Sequence, residues 1–136
     1  MDLRQRQPED LAAVARLLEA ADLPVSGLER TEGWVLEENQ TLLGHVAVER
    51  TPDVLVIRSL VVAPEARGQN LGRQLLDLAE AQAGDRLRVL RTQTIGPWAE
   101  RRGFRRVTPD QLPASVRGTT EFEGELCACC PVYAKP

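Results

Sequence analysis

Between Arg58 and Arg73 the chain reads RSLVVAPEARGQNLGR, the stretch best equipped to grip a charged ligand. An apolar run ends at Val62, Pro64 stops its hydrogen-bond ladder, and Gly68 turns the chain into a helical pattern starting near Gln69. The first amides of a helix have no internal partner, and the macrodipole places partial positive charge there. Such an end suits a phosphate or pyrophosphate. Arg67 and Arg73 flank it and would add charge-assisted hydrogen bonds. Gly68 and Gly72 lack a Cβ, so a ligand or a neighbouring strand can come close to the backbone. The dinucleotide fingerprint fails because no third glycine falls in the GxGxxG register, and the P-loop fails because no GKS or GKT follows. An αβ connection whose glycines serve only the turn is the structural alternative.

Two further groups could move a proton or hold a soft ion. Glu49 ends an alternating run, LLGHVAVE, and shares a face with His45, while Leu42, Val46 and Val48 are expected on the other. Glu49 is the candidate base, with a solvated strand-end carboxylate as its alternative. His45 titrates in a useful range, but a lone histidine in a strand is more often structural or at the surface, so it ranks second. Cys127, Cys129 and Cys130 form CACC. Three thiolates could hold zinc, copper(I) or a trivalent arsenical, but a regular strand would point Cys130 away from the other two, and a complete tetrahedral zinc site would need a fourth ligand. Small apolar residues in a closing strand is the preferred reading, and no metal ligand is assigned.

These groups must be positioned by the surrounding elements. Residues 8–21 read as a helix, with Pro8 at its start, Glu9 and Asp10 at its positive end, and Leu11, Val14, Leu18 and Ala21 on one face. Short strands are expected at 34–37, 42–49 and 54–62. VLVIRSLVV is apolar on both faces except at Arg58 and Ser59, which marks a central strand covered on both sides. Leu71, Leu75, Leu78, Ala79 and Ala83 repeat at helical spacing up to Gly84. Residues 87–92 form a strand, 97–102 a short helix, 104–107 another strand, and 119–133 supply a last one. The fold class is α/β, a mixed sheet with helices on both faces.

Composition narrows the function classes. The chain has 136 residues, enough for a core without disulfides or metal. It is 43% hydrophobic and 27% charged, with 17 Lys and Arg against 20 Asp and Glu, a net charge of −3. A domain-wide basic footprint for nucleic acid is absent, although seven arginines crowd residues 86–106. No apolar run is long enough to span a bilayer, and MDLRQRQPED lacks a signal-peptide core. Three clustered cysteines, an odd number, point to reduced thiols in a cytoplasmic protein.

VVAPEARGQNLGRQLL resembles the cofactor motif of the GNAT N-acetyltransferase superfamily, roughly V-x-P-x-x-Q/R-G-x-G-x-G/A after the fourth strand. The order of elements from Leu11 to Phe104, including the ending ERRGF, is also similar. The resemblance implies one GNAT-like domain over 1–136 and acetyl-CoA as cosubstrate. It implies a pyrophosphate site at Arg67, Gly68, Asn70, Leu71, Gly72 and Arg73, and pantetheine aligned along the backbone of Leu60, Val61 and Val62. A strand splaying from its neighbour beyond Leu60 would leave amides for that purpose.

Two residues depart from the pattern. Asn70 stands at the second glycine, and asparagine tolerates positive φ better than other side chains. Ala99 stands where many members carry a tyrosine that protonates the leaving thiolate; the sole tyrosine, Tyr133, lies at the other end of the chain. A thiolate is a tolerable leaving group, so transfer is expected without that acid, slowly or with water in its place.

The tail TTEFEGELCACCPVY resembles a GNAT branch associated with arsenic-resistance operons, through Thr120, Glu121, Phe122, Leu126 and Cys127. The expected function is acetyl transfer to a primary amine of a small molecule by direct transfer in a ternary complex. The alternative is a non-catalytic CoA-binding module or a thiol-based soft-metal or arsenical sensor on the same fold. Acetylation of protein N-termini or lysines is a third option. The 23–27 and 108–118 loops are expected to border the acceptor cleft. Neither nucleic acid nor membrane is an expected partner, and a homodimer is left open.

Overall fold

Val54–Val62 (β4), apolar on both faces in the sequence, lies at the centre of a seven-stranded sheet in a computed structural model describing residues 1–123 and 131–136. The other strands are β1 (Asp2–Gln5), β2 (Glu32–Glu38), β3 (Thr41–Arg50), β5 (Leu87–Arg91), β6 (Arg105–Val107) and β7 (Val132–Lys135), and the sheet order is β1-β2-β3-β4-β5-β7-β6. β4 runs antiparallel to β3 and parallel to β5, the sole parallel pair among the described residues. That pair is joined through helix α2 (Leu71–Ala81), as a parallel crossover requires.

Each face of β4 is covered. On one side helix α1 (Leu11–Ala20) sets Val14 and Leu18 against Val35, Ala47 and Val61. Leu112 and Val116 continue that layer over Val54, Val56, Val89 and Val132. On the other side Leu71, Leu75, Leu76 and Ala79 of α2 pack with Val46, Val48, Leu55 and Ile57. Helix α3 (Gly96–Arg101) adds Ala99, and Phe104, Leu90 and Tyr133 complete this cluster. No helix among the described residues is long and apolar enough to cross a membrane.

Several details differ from the sequence reading. Leu43, not Leu42, joins Val46 and Val48; Leu42 faces the α1 side. The register of β2 and β3 shifts at Leu36 and Glu37, and one extra residue reverses the side on which its neighbours emerge. Residues 8–21 divide into a 3-10 turn, Pro8–Asp10, and α1. Asp10 is buried and bonds the Gln7 amide at 2.7 Å and both terminal nitrogens of Arg4, so it closes a capping box instead of resting on the dipole alone. The final strand is Val132–Lys135, while Thr119–Glu123 form turns.

The layer formed by α2 and α3 is also tied by charge. Glu80 of α2 is only 7% exposed. It accepts hydrogen bonds from Arg102 Nε (3.1 Å) and Nη2 (2.8 Å) and from Lys135 Nζ (2.8 Å), with Arg88 Nε 3.6 Å away. One carboxylate thereby links α2 to β5, α3 and β7. Removing it would leave three cations facing one another in a largely water-excluded site. Glu80→Ala is expected to lower stability by about 2 to 3 kcal/mol in urea unfolding, beyond the range of a surface ion pair.

Candidate active site

The turn entering α2 is held in an unusual backbone state. Gly68 has φ +87°, and Asn70, which caps the helix, has φ +61° in the left-handed region. Asparagine is among the few side chains that accept this conformation readily. No side chain caps the helix, and its first bond runs from the Gln74 amide to the Asn70 carbonyl at 3.1 Å. Amides upstream therefore face outward from the end that carries the positive dipole.

They open onto a cleft of about 420 Å³ lined by Val62, Gly68, Leu71, Gly72 and Trp98 together with Arg67, Asn70 and Arg73. Arg67 is exposed, and Arg73 reaches Asp77 at 4.0 Å while its side chain stays 69% exposed. Both guanidinium groups are free to turn onto an anion. A methyl on Gly72 would stand 3.8 Å from Val62 and 3.9 Å from Trp98, narrowing the cleft at its waist. Trp98 thus both lines this cleft and packs against the core.

β4 supplies the adjoining edge. β5 pairs with it only as far as Ile57 opposite Leu90, whereas β4 continues to Val62. Leu60, Val61 and Val62 lie on this continuation. On the β3 side the register shifts between His45 and Ala47, so that Ser59 and Leu60 both oppose Val46. Ser59 takes φ +58°, the strained residue of a bulge.

The bulge explains His45. The ring is fully buried, with Nδ1 2.9 Å from the Ser59 carbonyl and Nε2 2.9 Å from Arg6 Nη1. A carbonyl can only accept and a guanidinium can only donate, so His45 is neutral and protonated at Nδ1. Burial pushes its pKa down to about 4, reinforced by the Arg6 and Arg58 charges and opposed by the Ser59 bond. His45 is a strut under the bulge, not the accessible base that its residue type suggested.

Glu49 lies within a polar cluster on the α1 side of the sheet. Its Oε1 accepts from the Thr120 amide (2.9 Å) and hydroxyl (2.7 Å). Thr120 Oγ1 also receives Arg58 Nη1 at 2.9 Å, and Arg58 Nε bonds Ser59 Oγ at 3.0 Å and lies 3.6 Å from Glu121 Oε2. Burial raises the Glu121 pKa, against the pull of Arg58 and Arg91. Arg58 and Glu121 were not read as site residues, although Arg58 was visible as a charge interrupting an apolar strand. Cys127, Cys129 and Cys130 lie outside the described residues, as does Leu126. Among the described residues no group of three or more His, Cys, Asp or Glu is placed to hold a metal ion.

Known proteins share both the pattern and the architecture. The model of the acetyltransferase (GNAT) domain matches residues 29–106, more than half of the chain. The chain belongs to the GNAT acetyltransferase family. The Mycobacterium tuberculosis protein Rv2747, solved in complex with CoA, superposes with a TM-score of 0.78 at 18% identity, covering 99% of this chain and 98% of that one. N-acetylglutamate synthase from Neisseria gonorrhoeae, complexed with CoA and L-arginine, gives 0.77 at 23% identity over 98% of this chain. This chain spans about a third of that protein, 32%. A GNAT family acetyltransferase from Brucella melitensis in complex with acetyl-CoA gives 0.62 at 25% identity, over 76% of this chain and 82% of that one.

The neutral strut makes stability depend on pH. The folded-state pKa of His45 lies below its unfolded value near 6.5, so the unfolded chain binds the extra proton between the two. Stability is full above about pH 6.5 and falls as pH drops toward 4, by about 3 kcal/mol. Glu121, raised in the fold, acts with the opposite sign and offsets part of the loss. Denaturant unfolding from pH 7 to 4 should show the wild type losing more stability than His45→Gln.

Proposed function

We propose that this GNAT chain moves the acetyl group of acetyl-CoA to a primary amine of a small molecule by direct transfer. The supporting observation is one continuous path: outward-facing amides at the start of α2, a cleft beside them, and a strand edge without a partner strand beyond Ile57 among the described residues. Pyrophosphate suits the amides and the Arg67 and Arg73 guanidinium groups. The amide-bearing pantetheine arm suits Leu60, Val61 and Val62, whose edge would otherwise leave polar backbone groups unmatched. A backbone N–H on that edge can polarise the acetyl carbonyl.

Glu49 serves as base in this reading. Thr120 fixes Oε1 with two hydrogen bonds, which orients the carboxylate and leaves its second oxygen to take a proton from the substrate ammonium, directly or through water. The freed amine attacks the acetyl carbon, and the C–S bond breaks with its electron pair on sulfur. Glu121 and Glu49 on one side of the slot also favour a cationic acceptor. A cytoplasmic location belongs to the same reading, resting on the clustered odd-numbered cysteines.

Calorimetry with CoA tests the site, and thiol release from acetyl-CoA across amino acids, polyamines and antibiotic-like amines tests the reaction. Arg67→Ala with Arg73→Ala should weaken CoA about 10- to 100-fold, and added salt should narrow the difference from wild type. Glu49→Gln should lower kcat about 100-fold with CoA affinity unchanged. CoA binding without thiol release for any amine would instead support a non-catalytic CoA module. Absence of CoA binding at millimolar concentration would remove the proposal.

A further inference from the structure

β4 and β5 each carry one arginine at the level where the two strands part. Ile57 stands opposite Leu90 in their last shared row, and Arg58 and Arg91 come next. Val56 and Val89, two residues earlier on each strand, belong to the layer on the α1 side, so both arginines emerge there too. They meet at Glu121: Arg58 Nε lies 3.6 Å from its carboxylate, and Arg91 Nη1 donates to its carbonyl at 3.2 Å. Glu49 grips the Thr120 amide and Arg91 the carbonyl of the next residue, which brings the carboxylate and the cation within the span of one small molecule.

The two arginines differ in how well they are matched. Arg58 is buried and donates to Thr120 Oγ1 and Ser59 Oγ as well as facing Glu121. Arg91 Nε is buried and has no hydrogen-bond partner, the one such side-chain atom among the described residues. Its guanidinium lies over the Phe122 ring, 5.0 Å from Cζ to the centroid, so an aromatic face stands where an acceptor belongs. Buried donors are nearly always matched, and an unmatched one marks a place for a missing group. One carboxylate, Glu121, also serves both guanidinium groups, and burial works against its charge. The site is short of an acceptor and of negative charge. A carboxylate supplies both. Phe122 lies in the 119–123 turns and is half-buried, so its ring can swing off the guanidinium and admit one.

We propose that the acceptor is an α-amino acid, its carboxylate held by Arg91 and its ammonium thereby brought to Glu49. The inference rests on the acetyl-transfer reading above and narrows the class of amine. A polyamine offers Arg91 no anion and sets a second cation beside two guanidinium groups. A peptide N-terminus carries an amide where the carboxylate is needed. Arg91 takes no part in bond exchange, so it determines specificity through binding, and its loss belongs in KM more than in kcat.

Thiol release from acetyl-CoA by the full chain is measured for the standard amino acids, their α-carboxamides and spermidine. At least one amino acid should exceed its own carboxamide in kcat/KM by about 10- to 100-fold, the worth of a charge-assisted contact. In Arg91→Met that preference should shrink to about twofold through a raised KM, with CoA affinity within about twofold of wild type as the check on folding. Arg91→Lys, which keeps the charge and lacks the Nε–H, should restore part of it. Calorimetry of the same amino acids into protein saturated with CoA reads the subsite without turnover. Amino acids that do no better than their carboxamides, or a preference that survives Arg91→Met, overturn the proposal and leave acetyl transfer to another amine standing. Amino acid binding that is lost in Arg91→Met, with no thiol release from any amine, supports the subsite and removes the transferase reading instead.

Discussion

The structure depends on one strand meeting two opposed demands. β4 must bond its neighbours on both sides to hold the sheet together, yet must withhold one edge over its last residues. The bulge at Ser59 and Leu60 and the end of pairing at Ile57 and Leu90 fall at the same level of the strand. A bulge bends its strand and increases the local twist. The departure of β4 from β5 is therefore built into the β3 side, where an extra residue is accommodated, and read out on the β5 side, where the partner is lost. His45 stabilises this arrangement by capturing the carbonyl of the strained residue, and Arg6 holds the other ring nitrogen. The shape of the slot follows from that chain of contacts.

Parts of this were legible in the chain itself. A run apolar on both faces marks β4, and Pro64, Gly68 and an asparagine tolerant of positive φ mark the turn into α2, because these signals are local. The bulges were not legible: a single inserted residue leaves composition and spacing nearly unchanged while reversing the sides of Leu42 and Leu43. β1 was missed because DLRQ is a polar edge strand with no alternating pattern to detect. Glu49 with Thr120 and Leu90 with Tyr133 are contacts between distant segments, which no local pattern encodes.

Charge is distributed by the same logic. The chain is acidic overall, yet its carboxylates are gathered where cations need them, Glu80 beneath α2 and Asp10 beside Arg4. Near the mouth of α2, Arg73 lies 4.0 Å from Asp77 and Arg67 is exposed. Net charge therefore says little about the field at the cleft, which is set by two exposed guanidinium groups and a helix end. An anion approaching this side meets positive potential that the whole-chain balance conceals.

The sheet also separates a polar cluster from an apolar one. Glu49, Arg58, Thr120 and Glu121 lie on the α1 side, whereas Tyr133, Ala99 and Trp98 lie on the α2 and α3 side. The two clusters lie on opposite faces of the sheet, the polar one fixing the Glu49 carboxylate through Thr120 and the apolar one packing the Tyr133 ring under α2 and α3.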